Sequence, residues 1–98
     1  MNVEFRTNEL ERLATDLKFN AGFAGGVIKA YRKRLQAIRA ANDERDLRNV
    51  RSNRFEKLEG ARSHQHSVRI NEQWRLVFEI RRGESGKIIF IYDIEDYH

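Results

Sequence analysis

The feature that most constrains this chain is the alternation in Trp74–Arg81 (WRLVFEIR). There Trp74, Leu76, Phe78 and Ile80 fall on one side of an extended strand, with Arg75, Glu79 and Arg81 on the other. A strand with one apolar side must bury it against other elements, so this segment predicts a half-covered sheet. The preceding run HQHSVRI alternates in the same way, with Val68 and Ile70 on one side and Ser67 and Arg69 on the other. Cross-strand neighbours project to the same side of a sheet, which tests any proposed connection between the two runs. A two-residue turn at Asn71-Glu72 sets Arg69 beside Trp74 and mixes the faces. A three-residue connection, Asn71 to Gln73, sets Ile70 opposite Trp74, Val68 opposite Leu76 and Arg69 opposite Arg75. This second register buries every large apolar side chain together and is the expected one. Its cost is a pair of arginines facing each other, which repel unless an anion lies between them. Guanidinium pairs of this kind grip phosphate oxygens in a two-pronged way. The competing reading has Asp93, Glu95 or Asp96 of the last strand neutralise them, as part of the scaffold.

Other strands are expected at Val3 and Phe5 (MNVEF), in RFEKL after Arg54, and in the closing run KIIFIYDIEDYH. Turns fall around Asn71–Gln73 and Arg82–Gly86. Between the first strand and the rest lie two helical patterns. Thr7 or Asn8 offers a cap for the first, with Leu10, Leu13 and Leu17 on one face. The second runs from about Gly26 to Ala41, with Val27, Tyr31, Leu35 and Ile38 as its buried stripe and Asn42 as its C-terminal cap. Lys29, Arg32, Lys33, Arg34 and Arg39 are expected on its solvated side. Residues Asp43–Asn53 carry no period and read as a loop, anchored by Leu47 and Val50. The sum is one α+β domain spanning residues 1–98, with two N-terminal helices on one face of a mostly antiparallel sheet of four to five strands.

Charge and residue usage bound the chemistry. Lys and Arg outnumber Asp and Glu by 19 to 15, which favours an anionic partner such as nucleic acid. There is no cysteine, no apolar stretch of signal-peptide or membrane-spanning length, and hence an expected cytoplasmic location away from membranes. His64 and His66 have the same-face spacing of a strand, but no third ligand stands at a convincing spacing, so neither metal nor other cofactor is expected. Ser63, Ser67 and Ser85 lie in no nucleophile-elbow context.

The closing Asp96-Tyr97-His98 is more telling. An imidazole titrates near neutral pH and suits proton transfer. Asp96 can orient it or stabilise its charge, and Tyr97 can stack on a base or hydrogen-bond a phosphate. The apolar run IIFIYDI before them predicts a strand that continues almost to these residues.

The stretch LEGARSHQHSVRINEQWRLVF, Leu58 to Phe78, together with EDYH, resembles the C-terminal half of HigB-type toxins of the RelE/ParE superfamily. The shared features are a leucine-any-glycine element, a serine-valine-arginine strand, a tryptophan-arginine strand after a short polar turn, and a terminal Asp-Tyr-His. The segment AANDERDLRN resembles the region after the second helix in that family. The resemblance implies a RelE-like fold and a toxin that cleaves messenger RNA in the decoding site of the 70S ribosome. Attack would come from the substrate's own 2′-hydroxyl, without metal. A helix-turn-helix antitoxin of the HigA kind would neutralise the toxin in a hetero-oligomer. Carried over to this sequence, Arg75 and Arg69 match strand arginines that stabilise phosphate charge, and Asp96, Tyr97 and His98 match the terminal catalytic cluster.

Some relatives carry a histidine two residues before the leucine of the leucine-any-glycine element, and a lysine directly after it. Here those places hold Glu56 and Glu59. Glu56 is then a candidate general base, while Lys57, Arg54 and Arg62 are candidates for restoring positive charge to the RNA surface. The superfamily also contains ParE-like toxins that poison DNA gyrase by binding alone, and fold cannot separate the two activities. A basic adaptor without toxicity is the third option.

Overall fold

The computed structural model describes residues 1–97; His98 lies outside the described residues. The chain runs β1 (Asn2–Phe5), α1 (Asn8–Thr15), α2 (Gly25–Ala40), α3 (Glu44–Arg48), β2 (Glu56–Lys57), β3 (Gln65–Arg69), β4 (Trp74–Gly83) and β5 (Gly86–Asp96), with single 3-10 turns at Arg51–Asn53 and Gly60–Arg62. The five strands form one sheet in the order β1-β5-β4-β3-β2. β1 pairs parallel with β5 and every other pairing is antiparallel.

The expected register between β3 and β4 is present, with Val68 opposite Leu76 and Arg69 opposite Arg75. The Ile70 N–H donates to the Trp74 carbonyl at 2.9 Å, so the connection is the three-residue one. Asn71 builds it: its Oδ1 accepts from the N–H groups of Gln73 and Trp74 at 2.9 and 2.8 Å, a side chain standing in for a backbone turn. At the β4–β5 hairpin a Cβ on Gly83 would meet Ile88 Cδ1 at 2.6 Å, and Gly86 sits at φ +121°, so both positions call for glycine.

One side of the sheet carries the core. Val68, Ile70, Leu76, Phe78, Ile89, Ile91 and Ile94 pack against Leu10 and Leu13 of α1 and against Val27, Tyr31, Leu35 and Ile38 of α2. The predicted stripe of α2 is thus the buried one. Tyr31 is fully buried, and its hydroxyl donates to the Leu10 carbonyl at 2.8 Å, joining the helices. Burial pushes the Tyr31 phenol well above its ordinary pKa.

Several expectations are corrected. α1 is capped by Thr7 as expected, but it ends at Thr15, and Leu17 is 85% exposed instead of lying on the buried face. The cause is Asp16, whose Oδ1 accepts from the Lys18 N–H and turns the chain away. α2 is capped by Ala41, not Asn42, whose N–H instead donates to Asp46 Oδ2 at 2.8 Å. The segment read as a loop contains α3, capped by the Asp43 carboxylate on the Arg45 N–H. Leu47 is buried there, while Val50 is half exposed. RFEKL pairs only at Glu56 and Lys57, because Arg54 takes a left-handed φ of +45° that the ladder cannot accommodate. On α2, Arg32 and Arg34 are not merely solvated. Arg32 donates to the Leu13 and Asp16 carbonyls at the end of α1, and Arg34 donates to the Arg69 carbonyl at 2.8 Å.

β5 carries a bulge that decides what the open side presents. Val77 pairs with Asp93 but Phe78 pairs with Ile91, leaving Tyr92 as the extra residue. Odd-numbered Ile89 and Ile91 face the core before it, and even-numbered Ile94 does so after it. Asp93 and Glu95 therefore share the open side with Val77 and Arg75. Arg6 fastens the bulge, donating from Nε to the Tyr92 carbonyl at 2.7 Å with its guanidinium over the Tyr92 ring.

Candidate functional site

The open side of the sheet has its own small buried floor. Ser67 and Val77 are fully buried and directly opposite each other, and Leu58 is 9% exposed. Glu56 pairs with Ser67, so alternation along the strand sets Leu58 on this same side. Beside this floor is a concavity of about 290 Å³ lined by Glu56, Lys57, Leu58, Glu59, Arg62 and Arg75. Four of the residues singled out from sequence (Glu56, Lys57, Arg62 and Arg75) meet here. A second concavity of about 230 Å³ is lined by Arg54, Arg69, Glu72 and Tyr97. The two are joined by Arg75, whose guanidinium lies 5.7 Å from the centre of the Tyr97 ring.

Arg75 stands on β4, inside the sheet, and its side chain is 20% exposed. Its Nη2 reaches Glu95 Oε1 at 3.4 Å. Arg62, carried by the 3-10 turn, donates to both oxygens of Glu95 at 3.0 and 2.5 Å and from Nε to Gln65 Oε1 at 2.8 Å. Of the three acidic residues weighed as partners for the strand arginines, Glu95 is the one that meets Arg75. The Arg62 bonds, and then Arg75, hold the Glu95 carboxyl below the usual carboxylate range, and Arg62 is raised in turn by Glu95. Arg69 is served differently: its Nε donates to the Asn71 carbonyl at 3.1 Å and its Nη2 lies 4.0 Å from Glu72. The two cross-strand arginines thus turn to different partners, Arg75 to the Glu95 carboxylate and Arg69 to the Asn71 carbonyl and Glu72.

Among the described residues, Ser67 Oγ, Arg75 Nε and the Tyr97 hydroxyl are buried and meet no hydrogen-bond partner. Unmet buried polar groups are costly, so each of these atoms is a natural contact for a bound group. Tyr97 is held by its backbone N–H, which donates to the Gln73 carbonyl at 2.8 Å. Asp96 pairs with Trp74, so the register sets it on the other side of the sheet from Arg75 and Glu95, and its Oδ2 accepts from Gln73 Nε2 at 3.1 Å. Arg75 and Tyr97 are brought together; Asp96 is a neighbour in sequence on the opposite side. His98 lies outside the described residues.

Sequence reasoning did not single out Ser67 as part of this site, and it treated Glu95 only as one of three possible counter-ions. The signal for both is positional: each shares the face of Arg75 once register and bulge are known. His66 belongs to the other side, stacked on Phe78 at 6.0 Å and tilted against Phe55 at 5.4 Å. Burial, then Lys57 and Arg48, pulls its pKa below the ordinary histidine value. Among the described residues no group of three or more His, Cys, Asp or Glu side chains is placed to hold a metal ion. Among the same residues, no helix is long and apolar enough to cross a membrane.

Comparison with known proteins bears on the family and the fold. The model of the family described as the RelE-like toxin of type II toxin-antitoxin system HigB matches residues 3–98. Toxin HigB-1 of Vibrio cholerae serotype O1 is 37% identical over 79 residues, covering 81% of this chain and 83% of that one. The solved YoeB/ParE toxin from Agrobacterium tumefaciens superposes over 100% of both chains with a TM-score of 0.57 at 12% identity, which establishes a common fold. With the family model spanning nearly its whole length, the chain belongs to the HigB-type RelE-like toxins of type II toxin-antitoxin systems.

Proposed function

We propose that this toxin is a ribosome-dependent messenger RNA endonuclease, with residues 1–98 acting as one catalytic domain that a helix-turn-helix antitoxin neutralises. The observation that carries the reading is the pairing of Arg75 and Tyr97, each with a buried polar atom lacking a partner among the described residues, beside a concavity that holds Glu56, Lys57 and Arg62. A guanidinium fixed on an inner strand is suited to charge that develops on a phosphate, because it needs no rearrangement as the charge appears.

In this mechanism the ribose 2′-hydroxyl attacks the adjacent phosphorus and the bond from phosphorus to the 5′-oxygen breaks. The products are a 2′,3′-cyclic phosphate and a 5′-hydroxyl. Glu56 takes the proton of the 2′-hydroxyl and His98 supplies one to the leaving oxygen. Arg75 neutralises the non-bridging oxygens, and Tyr97 stacks on a base or bonds the same phosphate. Arg69, Arg54, Arg62 and Lys57 hold the backbone of the message on either side. The nucleophile comes from the substrate, so the step balances without a metal ion.

Expression without antitoxin tests this directly. The expected result is growth arrest with messengers cut on translating ribosomes, relieved by His98→Ala or by deletion of residues 96–98 with antitoxin binding retained. Arrest that persists in those variants overturns the catalytic assignment. Arrest with double-strand DNA breaks and intact messengers assigns the chain to gyrase poisoning instead.

A further inference from the structure

The Glu95 carboxylate occupies the place where the proposed function needs an anion. It faces Arg75 across β4 and β5, and it takes two nitrogens of Arg62 and one of Arg75. Planar two-pronged bonds of this kind are what guanidinium groups make with carboxylate and phosphate alike. The bridge also leaves Arg75 Nε and the Tyr97 hydroxyl buried without hydrogen-bond partners among the described residues. A carboxylate has two oxygens in one plane. A phosphodiester is tetrahedral, so it can replace both oxygens of Glu95 and still present an acceptor out of that plane.

We propose that Glu95 is an internal stand-in for the substrate phosphate, bridging Arg62 and Arg75 until a phosphate of single-stranded RNA takes its place. The inference rests on the nuclease reading for the identity of the ligand and adds to it a residue that gates the site. The two arginines differ in their freedom to exchange. Arg75 is on an inner strand and 20% exposed, whereas Arg62 is 40% exposed on a three-residue 3-10 turn entered through Gly60 at φ +64°. Exchange therefore proceeds by Arg62 leaving Glu95 to follow the phosphate, while Arg75 stays in place. Glu95 is a positioning residue in this scheme. It forms no bond to the reacting atoms, and its own charge opposes the incoming phosphate once the bridge opens.

The test compares Glu95→Gln with Glu84→Gln, which makes the same change of net charge at the β4–β5 hairpin, remote from the concavity. The probe is a 2′-O-methylated trinucleotide, which cannot be cleaved, titrated at several salt concentrations. In Glu95→Gln the phosphate no longer displaces an anion, so binding at low salt should tighten about tenfold over Glu84→Gln. The slope of log affinity against log salt should steepen by about 0.7, the value of one phosphate neutralised on a single strand, because no displaced carboxylate is left to offset an arginine charge and take up a cation. Equal affinities and slopes in the two variants overturn the proposal. Where Glu95→Gln fails to fold, the wild-type chain gives the answer by NMR. The Glu95 Cδ signal should move along the same binding curve as the Arg62 and Arg75 Nε signals, and a Glu95 signal that stays still while Arg75 moves overturns it. Failure of the nuclease reading is separable. Messengers left intact on ribosomes, with the difference between the two variants preserved, remove the nuclease and keep the exchange.

Discussion

Glu95 and Arg75 face each other across β4 and β5, with Oε1 3.4 Å from Nη2, and the same carboxylate is gripped by Arg62 from the far side of the concavity. The sheet therefore holds a three-membered charge cluster on the side away from the helices. Its stability has a definite pH dependence. The Glu95 carboxyl is held below its ordinary value of 4.5, so its contribution is fully present above that pH and is lost as pH falls through the lowered folded value. Glu95→Gln should flatten the acid side of the Tm-against-pH curve, below about pH 4.5, relative to wild type. Parallel curves for the two proteins would show that the bridge contributes nothing in solution.

His66 predicts a second pH effect, in a different window. Its folded-state pKa lies below the ordinary 6.5, so the unfolded chain binds the proton first. Stability is complete above about pH 6.5 and declines below it, until the folded value is passed. His66→Phe keeps an aromatic ring between Phe55 and Phe78 and removes the titration. The wild-type Tm should fall between pH 7 and 5 by more than that of the variant, and an identical fall in both would contradict the assignment.

On the nuclease reading, Arg75 serves catalysis more than scaffold. Arg75→Ala should lower messenger cleavage on ribosomes by about a hundredfold or more, the usual cost of losing one fixed charge-stabilising donor. Its Tm should change far less than its activity. Arg75→Lys should restore little, because an ammonium is a point charge without the planar fork. Loss of folded protein in both variants would make the Glu95 pair a structural one.

Tyr31 tests the helix-to-helix joint. Tyr31→Phe keeps the buried ring and removes the hydrogen bond to the Leu10 carbonyl, at an expected cost of about 1 kcal/mol in urea unfolding. A cost near zero would mean that the hydroxyl is no better satisfied there than in water.

The alternation of Trp74, Leu76, Phe78 and Ile80 determined by itself which side of β4 is buried. Together with Val68 and Ile70 it also determined the three-residue connection and the facing arginines. Period is a local property of the chain, so it survives into the fold wherever one side must be dry. The stripe of α2 was legible for the same reason, and so was the place of Asp96 and Tyr97 at the end of β5.

What the sequence left open are matters that depend on a partner distant in the chain. Simple alternation from Ile89 and Ile91 carries Asp93, Glu95 and Tyr97 into the core, and only the bulge at Tyr92, fastened by Arg6, returns them to the open side. The switch from odd to even apolar positions between Ile91 and Ile94 is its trace in the sequence. Which carboxylate meets Arg75, and that Arg62 reaches it as well, were decided by tertiary structure. An ion pair is set by where two strands and a turn converge in space, and no local periodicity encodes that convergence.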